Sequence, residues 1–393
     1  MAHPVLRARA RRTLFAITAI VLGVAVARAQ QATPPRWHGT IDLTIGGEVA
    51  DDDATFGSVS GLASDAAGRI YVADRQDHQI RVFSPTGTLV TRLGRMGSGP
   101  LEFKRLATIV IGPDRLLWAR DEGNARMLAF DVSQIPFRNV HTVPLTQFTG
   151  GSQLPITFEP DGTLVDETTL HDKTIDGFRP LRLRRAMNGD VTRTDTLAIP
   201  AGAFAAVHKV SQIQKDKAGR EIGFAQSYVS QPYGAGWLRA YGPGGVRAEA
   251  MSSRYEIRII AADGRLVRTL RRTVAPVPLS ARERTVGEKS LQADVTALRL
   301  KRSSLPFGVP ALKPPISQMM WTLDGQLWVE RAIADGRPHE ADVYDTNGRW
   351  IAVAEWPSAI DPYASRVAIT GPTMVTVVRD SSDVESVVRL RFR

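Results

Sequence analysis

The stretch GRIYVADRQDHQIRVFSPTG, residues 68–87, returns in the same register as GVRAEAMSSRYEIRIIAADG, residues 245–264. It also lies without a gap over RLLWARDEGNARMLAFDVS, residues 115–133, which sets Asp121 on Asp74, Met127 on Ile80 and Phe130 on Phe83. Short alternating runs between Gly and Asp turns, repeating every ~40–50 residues, are how propeller blades read in sequence. Each blade is one small sheet that buries its faces only against its neighbours.

Within the first blade the period-2 pattern predicts strands at 61–64, 69–74, 79–84 and 89–94, separated by turns at 65–68, 75–78 and 85–87. A second blade spans 104–145. A third, degenerate one is marked by turns at 159–162 and 188–190, a fourth occupies 234–272, and a fifth has 325–348 in place of 68–87, with Trp328 falling on Tyr71. The sixth begins near Val367 and stops one strand short, its last run placing Val388, Leu390 and Phe392 against Arg389 and Arg391. Near the start of the chain, Trp37, Gly39, Ile41, Leu43 and Ile45 alternate with His38, Thr40, Asp42 and Thr44. That strand can complete the last blade and remove the open edges a broken ring would expose. The expected fold is therefore all-β, a six-bladed β-propeller whose N-terminal strand closes the last blade. Two stretches fall outside the blades, 200–235 and 275–317. The second carries a capping box at Ser280 and Glu283 and an apolar stripe at Val286, Leu291, Val295 and Leu298, which predicts a short helical insertion over 279–302, lying on one face of the disc. Excursions this long in a compact domain usually serve function.

Residues 1–29 read as a signal peptide. Arg7, Arg9, Arg11 and Arg12 precede an apolar run, 14–26, shorter than the ~20 residues of a membrane span, and Ala27-Arg28-Ala29 offers a cleavage site. The alternative is an uncleaved anchor, and the paired Arg11-Arg12 also allows twin-arginine export. Cleavage leaves 30–393 as the propeller, exported to the periplasm or secreted, with no membrane span. The whole chain has 50 Lys and Arg against 40 Asp and Glu; five of the arginines and none of the acids lie in 1–29, so from Gln30 onward the excess is +5. These charges are scattered, which argues against a nucleic-acid partner. Cysteine is absent, so disulfides, thiolate metal sites and thiol nucleophiles are excluded. The expectation is a monomer without a cofactor.

YVADRQDHQIRVF, followed by GRMGSGPLEF, resembles the NHL-repeat type of six-bladed propeller, through residues 71–74, Asp77-His78, residues 80–83, Gly94, Gly97, Gly99 and Phe103. Asp77 and Gln79 depart from the usual asparagine and arginine. The rest of the chain resembles, more loosely, secreted six-bladed propellers of environmental bacteria that have no assigned activity. The resemblance implies the fold; propellers host binding, lyase, lactonase and scaffold roles alike.

It also implies that the links between second and third strands gather on one face with the links between blades. That face is the expected binding site, through Arg75, His78, Arg95, Asp121, Arg126, Glu167, His171, Arg254 and Arg331, with both charge signs suiting a polar or anionic ligand or a protein partner. Asp74 and Asp121 could instead simply accept backbone N–H groups in their own turns, and His78 could be a turn residue. Tyr71, Trp118 and Trp328, in repeat register, are expected to pack between blades. Glu48 and Asp51-Asp52-Asp53 form either a Ca²⁺-gripping cluster or a solvated acidic loop. Neither HExxH spacing nor G-x-S-x-G occurs, so no catalytic residue is expected; a metal-assisted, lactonase-like hydrolase or lyase at the channel mouth is the alternative.

Overall fold

The computed structural model describes residues 34–47, 54–146, 156–172, 177–215, 218–362 and 366–393. After β1 (Arg36–Gly46), blade one is built from β2 (Val59–Ser64), β3 (Ile70–Asp74), β4 (Gln79–Phe83) and β5 (Leu89–Leu93). Blade two follows as β6 (Leu106–Ile111), β7 (Leu117–Asp121), β8 (Arg126–Asp131) and β9 (Arg138–Pro144), and blade three as β10 (Thr157–Phe158), β11 (Leu164–Asp172), β12 (Gly177–Arg185) and β13 (Val191–Thr196). A hairpin, β14 (Val207–Lys215) with β15 (Glu221–Ser230), intervenes before blade four: β16 (Trp237–Tyr241), β17 (Arg247–Met251), β18 (Glu256–Ile260) and β19 (Leu266–Arg271). The helix α1 (Ala281–Ala297) precedes blade five, β20 (Ile316–Trp321), β21 (Leu327–Arg331), β22 (His339–Tyr344) and β23 (Trp350–Trp356). Blade six is β24 (Val367–Thr370), β25 (Thr373–Arg379) and β26 (Glu385–Phe392), completed by β1. The protein is a six-bladed β-propeller.

Closure works through β1, which runs antiparallel to β26 from Gly39 opposite Phe392 to Gly46 opposite Ser386. Its first residues also pair in parallel with β23, Arg36 opposite Val353, so one strand ties blades five and six together. The expected alternation is broken between Ile41 and Leu43, where the register shifts. Ile41 is left exposed, and Asp42 turns to Arg389, whose Nε donates at 2.8 Å, and to Arg391.

Middle strands are buried on both faces because each blade is sandwiched. β3 and β7 are buried at every residue. Tyr71, Trp118 and Trp328 do pack between blades: Tyr71 lies in the cluster shared by blades one and two, Trp118 meets Phe158 of blade three edge-on at 5.3 Å, and Trp328 meets Phe392 of blade six at 4.9 Å. Near the axis the inner strands approach so closely that a Cβ on Gly61 would stand 2.9 Å from the Ile109 backbone nitrogen. At Gly94, φ of +100° and the ring of buried Phe103 together demand glycine.

Apolar clusters fill the seams between blades one and two, two and three, four and five, five and six, and six and one. Among the described residues the seam between blades three and four has no such cluster. Ions take its place. Glu167 accepts from Arg239 at 2.7 Å and from the Tyr241 hydroxyl, while Arg184 joins Glu159 at 2.7 Å and donates to the Ala262 carbonyl at 2.9 Å. This is why blade three reads as degenerate: RLRR, residues 182–185 of β12, is buried, yet carries arginines where its counterparts carry apolar groups.

The insertions form one body. α1 begins with the expected capping box, Ser280 Oγ accepting from the Glu283 amide at 3.1 Å and Glu283 accepting from the Ser280 amide at 2.9 Å. Leu291 and Val295 of the helix pack with Val210 and Val229 of the β14–β15 hairpin. The helix is shorter than the 279–302 expected because Leu298 ends it and Arg299 takes a left-handed φ of +53°. Ser280 and Arg282 both donate to Asp335, at 2.8 and 2.9 Å, pinning the insertion to the β21–β22 link of blade five. Arg282 above all holds the Asp335 carboxyl down to about 2. The acidic stretch of Glu48 and Asp51-Asp52-Asp53 lies outside the described residues, as do residues 1–33.

Candidate functional site

In each blade the end of the second strand, the start of the third, the end of the fourth and the start of the next blade share one face. Arg75 shows it in blade one: its amide donates to Ser58, just before β2, at 2.8 Å. Over blade four this link face opens into a cleft of about 850 Å³. The β17–β18 link supplies Ser253 to Glu256, the exit of β19 supplies Arg271 to Val277, the insertion supplies Pro310 to Pro315, and the segment before β16 supplies Gln231 to Ala235.

A fixed polar centre lies beneath it. Asp342, fully buried on β22, accepts from the Tyr255 hydroxyl at 2.5 Å, and Tyr255 meets the Tyr344 hydroxyl at 3.0 Å. Arg272 pairs with the same carboxylate and lies over the Trp350 ring at 3.5 Å; Arg331 approaches its other oxygen at 3.3 Å. Burial, and then the Asp342 charge, push the Tyr255 phenol far up, so it stays a donor. Burial raises Tyr344 to about 12. Burial works against the Arg272 charge, but Asp342 outweighs it and the pKa rises. At the rim Arg271 holds Glu256 at 3.1 Å and depresses its pKa. Lys313 donates to the Ile333 carbonyl at 2.8 Å and pairs with Glu283.

Arg254 is different. It is exposed on the cleft wall, and among the described residues its guanidinium has no hydrogen-bond or ion-pair partner, reaching Glu256 only through space. Tyr233 faces the same cleft with φ at +57°, a left-handed conformation that a bulky residue adopts only under constraint.

Of the nine residues expected at the site, Arg254 lines this cleft and Arg331 braces its floor through Asp342. The others stand elsewhere. Arg75 is exposed and donates to the Leu106 carbonyl at 3.3 Å, and Arg95 pairs with Glu102 at 2.8 Å. His78 sits in its turn at φ +55°. Asp121 is fully buried and accepts the amides of Lys104 and Arg105 at 3.1 and 3.0 Å, as Asp74 does for Gly57 and Ser58. Arg126 donates to the carbonyls of Ser98, Gly99 and Glu102 at 3.0, 2.7 and 2.7 Å, stitching the blade link down. Glu167 and His171 require a correction: they belong not to a link but to β11, which runs on to Asp172 because its long pairing with β12 continues past the expected turn. Glu167 is thus spent on the seam, and His171 is placed by its backbone, opposite Phe178. Sequence reasoning missed Tyr233, Tyr255, Arg271, Arg272 and Lys313; the one local signal was the Pro-rich flank of the insertion beside the Arg271-Arg272 pair.

Among the described residues no three His, Asp or Glu side chains gather to hold a metal ion, and no helix is long and apolar enough to cross a membrane.

Fold and cleft define a six-bladed β-propeller with a walled pocket on its link face. A family model described as a 6-bladed beta-propeller matches residues 49–157, which hold blades one and two. Comparison with curated proteins gives no match. Among solved structures the chain is similar to a streptogramin B lyase (10% identity over 89% of this chain and 97% of that one, TM-score 0.40). It is also similar to a PQQ-bound aldose sugar dehydrogenase from Streptomyces coelicolor (14%, 92% and 100%, 0.41) and to a gluconolactonase from Xanthomonas campestris (12%, 92% and 97%, 0.39).

Proposed function

We propose that this protein is an exported binding propeller, its first blade of the NHL type, that takes a polar or anionic small ligand in the blade-four cleft. The observation that carries the reading is Arg254, a guanidinium without a hydrogen-bond or ion-pair partner among the described residues, on the wall of a cleft of about 850 Å³. A guanidinium left open beside a rigid floor is suited to grip a carboxylate or phosphate with two parallel hydrogen bonds. The volume is that of a ligand pocket. Support for rigidity comes from Asp342, which fixes Tyr255 and Arg272 before any ligand arrives. Export rests on the basic and apolar pattern of residues 1–29.

A thermal-shift screen of carboxylates and phosphates tests it. A true ligand raises Tm with concentration, since binding to the native state alone stabilises it by mass action. Arg254→Ala should abolish that shift and leave the unliganded Tm nearly unchanged, because among the described residues the exposed Arg254 side chain makes no hydrogen bond or ion pair. Equal shifts in parent and variant would move the site elsewhere.

A further inference from the structure

The blade-four cleft does not end at Arg254. A second, smaller hollow of about 180 Å³ lies beside it on the link face, lined by Ile199 and Pro200 after β13, Trp237 at the start of β16, Glu249 and Met251 of β17, and Arg258; Glu249 is already held by Arg247 at 2.6 Å. Arg254 and Glu256 line both. The two hollows therefore adjoin across a shared wall of two side chains, a bipartite groove between the insertion and the exit of β13.

Along this groove cations recur: Lys313 and Arg271 at one end, Arg254 in the middle, Arg258 at the other. Aromatic rings recur with them. Tyr233 lines the larger hollow in its strained conformation, and Trp237 lines the smaller, one face backed by the Arg239 guanidinium at 4.2 Å. Arg258 is half exposed and lies 4.0 Å from Glu249, too far for a hydrogen bond, so among the described residues it too has capacity to spare. Flat rings alternating with separated guanidinium groups suit a chain of rings that each carry an acid group: ring faces lie on the aromatics and carboxylates meet the arginines. A flexible acidic peptide offers the charges without the flat apolar faces, and would lose more conformational freedom on being ordered.

Resting on the cleft as the binding site, we infer that the groove takes an acidic oligosaccharide spanning both hollows, its central carboxylate on Arg254 and its far end on Trp237 and Arg258.

Calorimetric titration with galacturonic acid and its oligomers from two to five units tests this, with neutral maltopentaose and hexaglutamate alongside. Affinity should rise with length by about tenfold or more and then level off once the groove is full. Arg254→Ala should weaken every acidic sugar by about tenfold or more, the loss of one charge-assisted contact. Arg258→Ala, at an exposed position, should weaken only the longer oligomers, and Trp237→Leu should do the same with Tm measured in parallel. If galacturonic acid binds through Arg254 with no gain from length, the cleft reading stands and the groove is refuted. Hexaglutamate binding as tightly as the pentamer would assign the groove to an acidic peptide and overturn the inference. Binding of the oligomers that ignores Arg254 would overturn both.

Discussion

Replacing Glu167 by alanine tests the unusual seam between blades three and four. The carboxylate accepts from Arg239 at 2.7 Å and from the Tyr241 hydroxyl, across a gap where the other seams have apolar clusters. Its removal strands two donors. Tyr241 is 9% exposed and has little access to solvent, whereas the Arg239 side chain, 19% exposed, recovers part of its solvation. Breaking a buried pair by removing one partner costs about 3–5 kcal/mol, and the partial exposure of Arg239 places this case near 3. At about 2 °C per kcal/mol for a chain of this size, Tm should fall by about 6 °C. Glu167→Gln keeps an acceptor for Tyr241 and should cost far less. Glu167→Met combined with Arg239→Met should recover the part of the loss that comes from stranding Arg239, since well-packed apolar side chains often replace a buried ion pair without penalty, while Tyr241 still lacks its acceptor. The pH dependence gives an independent check. Burial raises the Glu167 pKa above its ordinary value despite the pull of Arg239. The native state therefore binds the extra proton, and Glu167 subtracts stability as pH rises from about 4.3 through the folded-state value. Scanning calorimetry across that window should show this slope in the parent and lose it in Glu167→Gln. An alanine variant that melts with the parent would refute the assignment of the seam to this carboxylate.

Three further outcomes follow from the geometry. Gly94→Ala drives a Cβ into the ring of Phe103 at a φ of +100°, so chemical denaturation should show a loss of about 2–4 kcal/mol, and parent-like stability would refute tight packing at this link. Truncating the chain through Gly46 removes the partner of β26; burial of Leu43 and Ile45 alone is worth about 3 kcal/mol, so Tm should drop by at least about 6 °C, and an unchanged melt would refute ring closure by β1. His339 lies 2.7 Å from Glu330 and stacks on Trp356; burial lowers its pKa, but the Glu330 hydrogen bond and charge more than reverse this. Its stabilising charge is fully present below about 6.5 and lost as pH rises through the folded-state value, so the Tm gap between parent and His339→Gln should narrow as the solution is made more alkaline.

What the chain carries locally is the blade. Short, mostly apolar runs at residues 70–73 and 80–83, Gly at the turns and the aromatic position shared by Tyr71, Trp118 and Trp328 all report on neighbours within a few residues, and such patterns are legible one segment at a time. The capping box at Ser280 and the closing strand at Trp37 to Ile45 belong to the same class. Tertiary structure decided the rest. Asp121 looks like a functional acid in sequence and is spent on backbone amides, because only folding brings Lys104 and Arg105 to it. Glu167 reads as a loop charge until β11 and β12 extend their pairing past the expected turn. The cleft exists only where the exit of β19, the insertion and the β17–β18 link meet, and its floor joins Tyr255 and Arg272 to Asp342 across two blades. A repeat fixes its own strands by local hydrogen bonding and alternation. Which charges meet across the ring depends on how the blades are juxtaposed, and no local pattern encodes that.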